Sequence, residues 1–297
     1  MVRQISAEAR RVGDDLVERA GEASQIVRLF KAPAPRGVVS ASEEPEQLRP
    51  FFGYYGGKWR DALKHYPFPR FATIVEPFAG SAGYSLRHAH LKVILCEIDP
   101  ALAEVWRYLK RATQREILAL PDLPADGCVD DLRIIQEAKW LIGMWLNRGV
   151  STPRKRASAW MRQGIRPGCF WGEKVRARIA EQVSKIRHWK IYNRSYTDCP
   201  TPSRATWFID PPYQYAGRHY RFGADLIDYS GLADWCKARR GQVIVCENEG
   251  ASWLPFRELA SVKTTRSEQL SKEVYWTNAF AKQQLELALP AVALRKR

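Results

Sequence analysis

The residues best suited to chemistry form the tetrapeptide Asp-Pro-Pro-Tyr at positions 210–213. The apolar run 207–209 before it predicts a buried strand, which the prolines end because they cannot donate to a sheet ladder. In open α/β sheets, ligands bind at this carboxyl end of the strands. Asp210 and the Pro211 carbonyl can accept hydrogen bonds from an exocyclic NH2 group while Tyr213 stacks on the ring. The tetrapeptide therefore predicts a site for a planar amine, and an acidic turn after a strand is the alternative.

A glycine turn is predicted earlier in the chain, after a short strand over 72–76. Gly80 and Gly83 stand in this turn, and a helix is expected to follow through about His90. Strand, glycine-bearing turn and helix form the first unit of dinucleotide-type sheets, in which glycines let the backbone pass close to a ligand. The spacing departs from the strict dinucleotide fingerprint, so the motif alone does not indicate a pyrophosphate site.

The next predicted strand, over 91–96, ends in acidic residues. Glu97 stands at its tip and Asp99 just beyond it, before a helix predicted over 101–113. An acid about 20 residues after a glycine turn is placed to take ribose hydroxyls in nucleoside-binding sheets. Of the two acids, Glu97 is the favoured ribose ligand.

A segment rich in aromatics and glycine precedes these strands. Residues 51–58 read Phe-Phe-Gly-Tyr-Tyr-Gly-Gly-Lys. The glycine pair predicts a tight turn whose backbone can approach a ligand closely, and Lys58 adds a cation.

The positive charge of the chain is concentrated in one stretch. The 297 residues carry a net charge of +15, and positions 148–190 hold twelve Lys or Arg against two Glu. Three tryptophans and a phenylalanine are interleaved with them. The run predicts a surface that contacts the phosphates of a nucleic acid, and a solvated basic face with core tryptophans is the alternative.

The remaining pattern is that of an α/β protein. Further helices and strands are predicted in alternation over 131–147, 190–193, 226–239 and 242–246. A polar loop is predicted over 214–223, and the tail 260–290 reads as short strands with a polar break at 272–278.

The first fifty residues, the cysteines and the lengths of the apolar runs give expectations about domain organisation and cellular compartment. Residues 1–30 predict one or two amphipathic helices, and residues 31–50 contain four prolines, which indicates a linker. The six cysteines include no CxxC pair, which favours a reducing compartment without a zinc site. The N-terminus lacks an apolar signal core and no 18-residue apolar run occurs, so we expect a soluble cytoplasmic protein with no membrane partner.

In their order along the chain, these motifs resemble the Dam-like (D12 class) adenine-N6 DNA methyltransferases, which use S-adenosylmethionine. The resemblance covers about residues 50–280 and includes the Gly-Gly-Lys loop, the glycine turn, the acid after the second strand, a basic insert and Asp-Pro-Pro-Tyr. Residues 146–148 (Leu-Asn-Arg) are similar to the family's motif at the start of the insert, and 273–278 to a late segment. The chain departs from the family pattern at 149–154, where an aromatic-Asn-Gly stretch is often found. An aspartate as the first motif residue favours adenine over cytosine-N4 chemistry.

The resemblance implies an α/β fold with a Rossmann-like methyltransferase sheet, mostly parallel with a late antiparallel strand, and an inserted helical recognition region. The implied organisation is an N-terminal extension and linker over 1–50, a catalytic domain over 51–115 and 191–297, and a basic target-recognition region over 116–190.

The resemblance also implies roles for individual residues. The donor would be bound by Tyr54, Lys58, Glu76, Pro77, Phe78, Gly80, Gly83, Glu97, Ile98 and Asp198. In that set, Glu97 takes the ribose, Asp198 bonds the adenine amine of the donor, and Lys58 with Tyr54 closes over the donor. The target adenine would be held by Asp210, Pro211, Pro212 and Tyr213. DNA contacts are expected from Arg148, Arg154, Lys155, Arg156, Arg162 and Arg166, with no metal.

The predicted function is therefore site-specific methylation of adenine N6 in double-stranded DNA by a monomer or weak dimer. An RNA adenine-N6 methyltransferase and a catalytically silent nucleic-acid-binding relative are the alternatives. A fused nuclease finds no room in the chain, because only residues 1–50 are unassigned, whereas a separate restriction endonuclease remains a possible partner.

Overall fold

The computed structural model describes residues 47–163, 169–263 and 270–279. Within them, seven strands form one sheet: β1 Thr73–Glu76, β2 Lys92–Glu97, β3 Lys190–Asn193, β4 Ala205–Ile209, β5 Gly241–Asn248, β6 Arg257–Lys263 and β7 Leu270–Thr277. The helices predicted over 1–30, nearly all of the predicted linker, and Arg166 lie outside the described residues. Leu48, near the end of that predicted linker, is buried, and its N–H group donates to the carbonyl of Leu86 at 3.1 Å.

The strands lie in the order β3-β2-β1-β4-β5-β7-β6. Neighbouring strands from β3 to β5 are parallel, and β7 runs antiparallel to both β5 and β6. The fold is thus α/β with a mostly parallel sheet and a late antiparallel strand, compatible with a Rossmann-like fold, as the sequence predicts.

This strand order creates a topological switch point between β1 and β4. The chain builds β1, β2 and β3 outward in one direction and then returns to place β4 on the other side of β1. The connections leave in opposite directions there, which opens a crevice at the carboxyl ends of the two strands. A ligand site is therefore expected beside Glu76, the last residue of β1, and Asp210, which follows β4.

Alternating strand residues face two apolar layers. Phe208 of β4 belongs to a core shared with Trp106 and Trp145, whereas its neighbours Trp207 and Ile209 belong to a second core on the opposite face. This period of two is the ordinary side-chain alternation of a strand, and with both faces covered it explains the uninterrupted apolar run.

Seven α-helices lie in the described residues: α1 Ala62–His65, α2 Pro100–Arg111, α3 Gln114–Leu118, α4 Gln136–Gly143, α5 Ala159–Arg162, α6 Glu173–Gln182 and α7 Tyr229–Lys237. The Asp99 side chain caps α2, and Thr113 with Glu116 forms a capping box on α3. Helix α2 packs against α4, and α3 packs against α6. The helical part of the predicted recognition region thus packs on the first core and not around a core of its own. None of the described helices is long and apolar enough to cross a bilayer.

Two sequence-based predictions of helices are wrong in extent. The helix expected after the glycine turn is a short 3-10 segment, Ser85–His88. The Ser85 N–H group donates to the Glu76 carboxylate at 2.7 Å, so a side chain takes the place of a helical carbonyl acceptor. The helix predicted over 131–147 is only α4, which ends at Gly143 because that residue's carbonyl accepts from Arg154.

The polar break predicted at 272–278 is also wrong, because most of it lies inside β7. Its charged side chains have partners that allow a strand to continue. Lys272 pairs with Glu249 at 3.1 Å on the exposed face, and Glu273 accepts a hydrogen bond from Tyr66 in the interior.

Candidate active site

A cleft at the switch point contains about 960 Å3 of space, part of it open to solvent. Three acidic residues at strand ends line it: Glu76 is the last residue of β1, Glu97 is the last residue of β2, and Asp210 follows β4. The sheet therefore brings the glycine turn, Glu97 and Asp210 to one cleft.

The glycine turn after β1 lies against the Gly-Gly-Lys loop. Gly80 has φ of +45°, and a Cβ atom there would lie 2.9 Å from the Tyr54 ring. At Gly83, a Cβ atom would lie 2.6 Å from the backbone nitrogen of Trp59. Both glycines are thus required by the close approach of the two segments, and the Gly80 backbone remains open to the cleft.

Glu97 connects the second strand to the glycine turn. One carboxylate oxygen accepts from the Gly80 N–H group at 2.9 Å and the other from the Asp99 N–H group at 3.0 Å. Burial raises the pKa of Glu97 to about 7, although these backbone hydrogen bonds oppose the rise. A carboxylate has more lone pairs than these two bonds use, so Glu97 can still accept from a ligand.

Asp99 has a structural task at the start of α2. Its carboxylate accepts from the Ala101 N–H group at 2.9 Å as the N-cap of α2. It also lies 3.8 Å from the guanidinium of Arg221, which comes from the loop after β4.

Glu76 lies at the base of the cleft and is 2% exposed. Burial raises its pKa to about 8, while the hydrogen bonds from Ser85 oppose the rise. At pH 7 this side chain is therefore mostly neutral.

Lys58 forms an ion pair with Asp210. Its Nζ atom is 3.2 Å from Asp210 Oδ1, 2.7 Å from the Gly56 carbonyl and 4.9 Å from the centre of the Tyr213 ring. Burial lowers the pKa of Lys58, but nearby Asp210 raises it and the pKa ends well above its ordinary value. The family resemblance assigns Lys58 to the binding of S-adenosylmethionine, and Lys58 does line the cleft. Its ammonium also contacts Asp210, the acid expected to hold the target base.

Asp210 is the most exposed member of this ion pair, at 21% against 4% for Lys58. Burial raises the pKa of Asp210 to about 6, and the Lys58 ammonium opposes the rise. The carboxylate is therefore mostly ionised at neutral pH and faces the cleft.

The other three residues of the tetrapeptide differ in whether they line the cleft. Pro212 lines the cleft and its carbonyl accepts from the Tyr229 hydroxyl at 2.6 Å, whereas Pro211 is buried. Among the described residues, none donates a hydrogen bond to the Pro211 carbonyl. Tyr213 is partly buried, does not line the cleft, and has a buried hydroxyl without a hydrogen bond to any described residue. One face of its ring lies under the Lys58 ammonium.

Of the ten residues implied for donor binding, nine line the cleft: Tyr54, Lys58, Glu76, Pro77, Phe78, Gly80, Gly83, Glu97 and Ile98. Asp198 does not line it; its side chain is exposed, at the end of a short 3-10 turn. Ser195 and Tyr196 of the same segment line the cleft, and the Tyr196 ring stacks on Phe78 with centroids 5.2 Å apart. The turn thus presents a neighbouring aromatic ring where an acid was expected.

A loop after β4 covers part of the cleft, and the sequence did not indicate its residues as site residues. Tyr220, Arg221 and Phe222 line the cleft. The Tyr220 hydroxyl donates to the carbonyl of Tyr55 at 3.1 Å and so joins this loop to the Gly-Gly-Lys loop. The available signal was the cluster of aromatic and basic residues within a loop that otherwise reads as polar.

The basic stretch adjoins the cleft at its first residues. Ser151 lines the cleft and donates to the carbonyl of His219 at 2.7 Å, and Tyr55 donates to the Val150 carbonyl at 2.9 Å. Arg148 and Arg154, on either side, are exposed, and their side chains make no hydrogen bond or ion pair with another described residue.

Other cations of this stretch have partners within the protein. Lys155 pairs with Asp130 at 2.7 Å, Arg156 donates to the Asp126 carbonyl at 2.9 Å, and Arg162 donates to the Ala157 carbonyl at 2.8 Å. These three side chains are nevertheless exposed. Trp160, on α5, is 58% exposed and lies among them in sequence.

No protein-family model matches this chain, and no curated protein matches it. Across the described ranges, no group of three or more His, Cys, Asp or Glu side chains is arranged to hold a metal ion.

Proposed function

We propose that the protein is an S-adenosylmethionine-dependent methyltransferase that methylates N6 of adenine in double-stranded DNA. The observation that carries the proposal is the shared cleft, in which Asp210 lies with the glycine turn and Glu97 at one switch point. The sheet supports it as well, because β7 is the late antiparallel strand that the family resemblance implies.

The residues of the cleft fit the donor. Glu97 keeps lone pairs for ribose hydroxyls beyond its two backbone hydrogen bonds. Gly80 leaves the backbone accessible, and Phe78 with Tyr196 offers aromatic surface for the adenine ring. When bound, S-adenosylmethionine supplies a methyl group activated by a positively charged sulfur.

Asp210 and Pro211 provide the means of activating the target amine. The N6 lone pair of adenine is delocalised into the ring, which makes the amine a poor nucleophile. In our proposal, the Asp210 carboxylate and the Pro211 carbonyl each accept a hydrogen bond from one N6–H group. These hydrogen bonds draw the nitrogen toward a tetrahedral geometry. The Pro211 carbonyl has no donor among the described residues, so it is free for this bond. Catalysis then rests on positioning and electrostatics.

The target adenine has to leave the duplex to reach Asp210, because a stacked base cannot enter a cleft. In the proposal, the flipped base meets Asp210 and the Tyr213 ring.

The partner is inferred from charge. Positions 148–190 account for much of the net charge of +15, and the exposed Arg148 and Arg154 flank the segment that adjoins the cleft. In the proposal, these cations, which are close in sequence to the cleft-lining Ser151, contact phosphates near the flipped base.

Methyl transfer from labelled S-adenosylmethionine to duplex DNA and to structured RNA tests the proposal, with nucleoside analysis to identify the product. We expect N6-methyladenine in DNA from the wild-type protein and almost none from Asp210→Ala. Methylation confined to RNA would replace DNA by RNA as the substrate. Binding of both nucleic acids without transfer would make the protein a silent relative and overturn the proposal.

A further inference from the structure

Glu273 comes from the C-terminal part of the sequence and contacts Lys58 at the proposed amine-binding site. It belongs to β7 and pairs in register with Asn248 of β5. One of its carboxylate oxygens lies 3.7 Å from Lys58 Nζ, and the other accepts a hydrogen bond of 2.9 Å from the Tyr66 hydroxyl. Lys58 thus lies between two carboxylates, those of Glu273 and Asp210.

The burial of the three charges differs. The side chains of Lys58 and Glu273 are 4% and 12% exposed, while that of Asp210 is 21% exposed. A buried charge is costly unless it is paired and hydrogen-bonded, and this arrangement provides both for Lys58 and Glu273. Both carboxylates pair with the Lys58 ammonium, but of the two only Asp210 lines the cleft.

We propose that Glu273 is a positioning residue of the amine-binding site. Glu273 accepts a hydrogen bond from Tyr66 and shares the Lys58 ammonium with Asp210. The proposal rests on the proposed function, because it assigns Asp210 the role of holding the target amine. By sharing the ammonium, Glu273 keeps Asp210 from being fully occupied by an internal cation. Lys58 thus favours the ionised form of Asp210, while Glu273 leaves that carboxylate able to accept a hydrogen bond from an incoming amine.

This arrangement predicts that the loss of Glu273 and the loss of Lys58 shift the pKa of Asp210 in opposite directions. Lys58 lowers the pKa of Asp210 and Glu273 raises it. Removing the charge of Glu273 should therefore lower the pKa of Asp210, and removing the charge of Lys58 should raise it.

Several other groups face Asp210, and all are unchanged in these variants. They are Tyr54, Tyr66, Glu76, Tyr213, Tyr220, Cys246 and Glu247. The comparison between variants therefore isolates the two charges.

The test follows the Asp210 carboxylate by NMR titration of the full chain labelled with 13C at aspartate carboxyl carbons, with Asp210→Asn to assign the signal. Glu273→Gln keeps an acceptor for Tyr66 and removes only the charge. Lys58→Met removes the ammonium, and Glu258→Gln, at an exposed position of β6, is the charge-matched control. Circular dichroism checks that each variant is folded.

We expect the Asp210 pKa to fall in Glu273→Gln, to rise by about one unit or more in Lys58→Met, and to stay unchanged in Glu258→Gln. In the methyl-transfer assay, the acid limb of the pH profile should move in the same directions. An Asp210 pKa in Glu273→Gln that is unchanged, or raised, overturns the proposal even if the wild-type protein methylates DNA. Opposite shifts in a protein that transfers no methyl group would support the positioning role and refute the proposed function.

Discussion

The Gly80 N–H group donates a hydrogen bond of 2.9 Å to the Glu97 carboxylate, so the acid that ends β2 fixes the glycine turn that follows β1. Two predicted parts of the donor site are therefore one mechanical unit. A change at Glu97 alters both the acid proposed to bind ribose and the turn that lies beside it.

We expect Glu97→Gln to weaken S-adenosylmethionine binding by about tenfold or more while DNA binding persists. A glutamine offers one acceptor oxygen, so either Gly80 or Asp99 loses its partner. A hydrogen bond to a charged group contributes roughly 1.5–3 kcal/mol. Calorimetry measures the donor affinity, and Glu104→Gln on the outer surface of α2 is the control. Unchanged affinity in Glu97→Gln would remove this residue from the donor site.

Asp210→Ala should remain folded, bind donor and DNA, and lose a factor of about 10²–10³ in the rate of methyl transfer. Folding should survive because Lys58 keeps Glu273 as a buried partner. The hydrogen bond to N6 strengthens as the nitrogen gains positive charge, so its loss acts on the transition state. Single-turnover kinetics isolate that step. A near wild-type rate would show that the motif is structural.

Two double variants separate free from internally paired cations in the basic stretch. Arg148→Ala with Arg154→Ala removes two side chains without described partners, and Lys155→Ala with Arg156→Ala removes two that contact Asp130 and the Asp126 carbonyl. Both remove the same charge. The first pair should reduce the slope of log K against log salt by about 0.9 for each lost phosphate contact, and the second pair by less. Equal slopes for both variants would contradict this assignment.

Tyr220→Phe should speed release of S-adenosylmethionine several-fold. The hydroxyl joins two loops through the Tyr55 carbonyl, and a net hydrogen bond contributes about 0.5–1.5 kcal/mol. Tyr215→Phe, 68% exposed in the same loop, is the matched control and should change nothing. Stopped-flow measurement of donor dissociation gives the comparison, and identical rates in both variants would exclude the loop contact from donor retention.

Glu76 predicts a dependence of folding stability on pH. Its pKa is raised to about 8 by burial, so the folded state holds a proton that the unfolded state releases near its ordinary value of 4.5. The free energy of unfolding should therefore fall as pH rises from about 4.5 to about 8, by up to about 1.4 kcal/mol per pH unit for this proton. Glu76→Gln, which keeps the acceptor for Ser85, should lack this part of the decline. Denaturant unfolding at pH 5 and pH 8 measures it, and parallel declines in both proteins would rule it out.

The elements of the fold that follow from local sequence could be predicted. The apolar run before Asp210 and the strand before Glu97 are strands in the structure, because each is buried on both faces and bounded by residues that end a ladder. Their meeting in one cleft also follows, since the carboxyl ends of parallel strands lie at one edge of a sheet.

Contacts between distant residues could not be predicted. Tyr66 and Glu273 are 207 positions apart, and nothing in either segment indicates that the two side chains are hydrogen-bonded. The direction of the Lys58 side chain depends on Asp210, which follows β4, and on Glu273 of β7, and these two residues are distant in sequence. The 3-10 segment after the glycine turn depends on the Glu76 side chain, whereas sequence periodicity reports only on backbone preference.

The antiparallel strand β7 determines when the site becomes complete. In the finished sheet β7 lies between β5 and β6, yet it is the last of the three to leave the ribosome. Until it inserts, one edge of β5 has unpaired backbone groups and Lys58 lacks one of its two acids. The glycine turn and Asp210 can therefore be in place before Lys58 has its second acid. The three-membered ion pair is complete only when β7 joins the sheet.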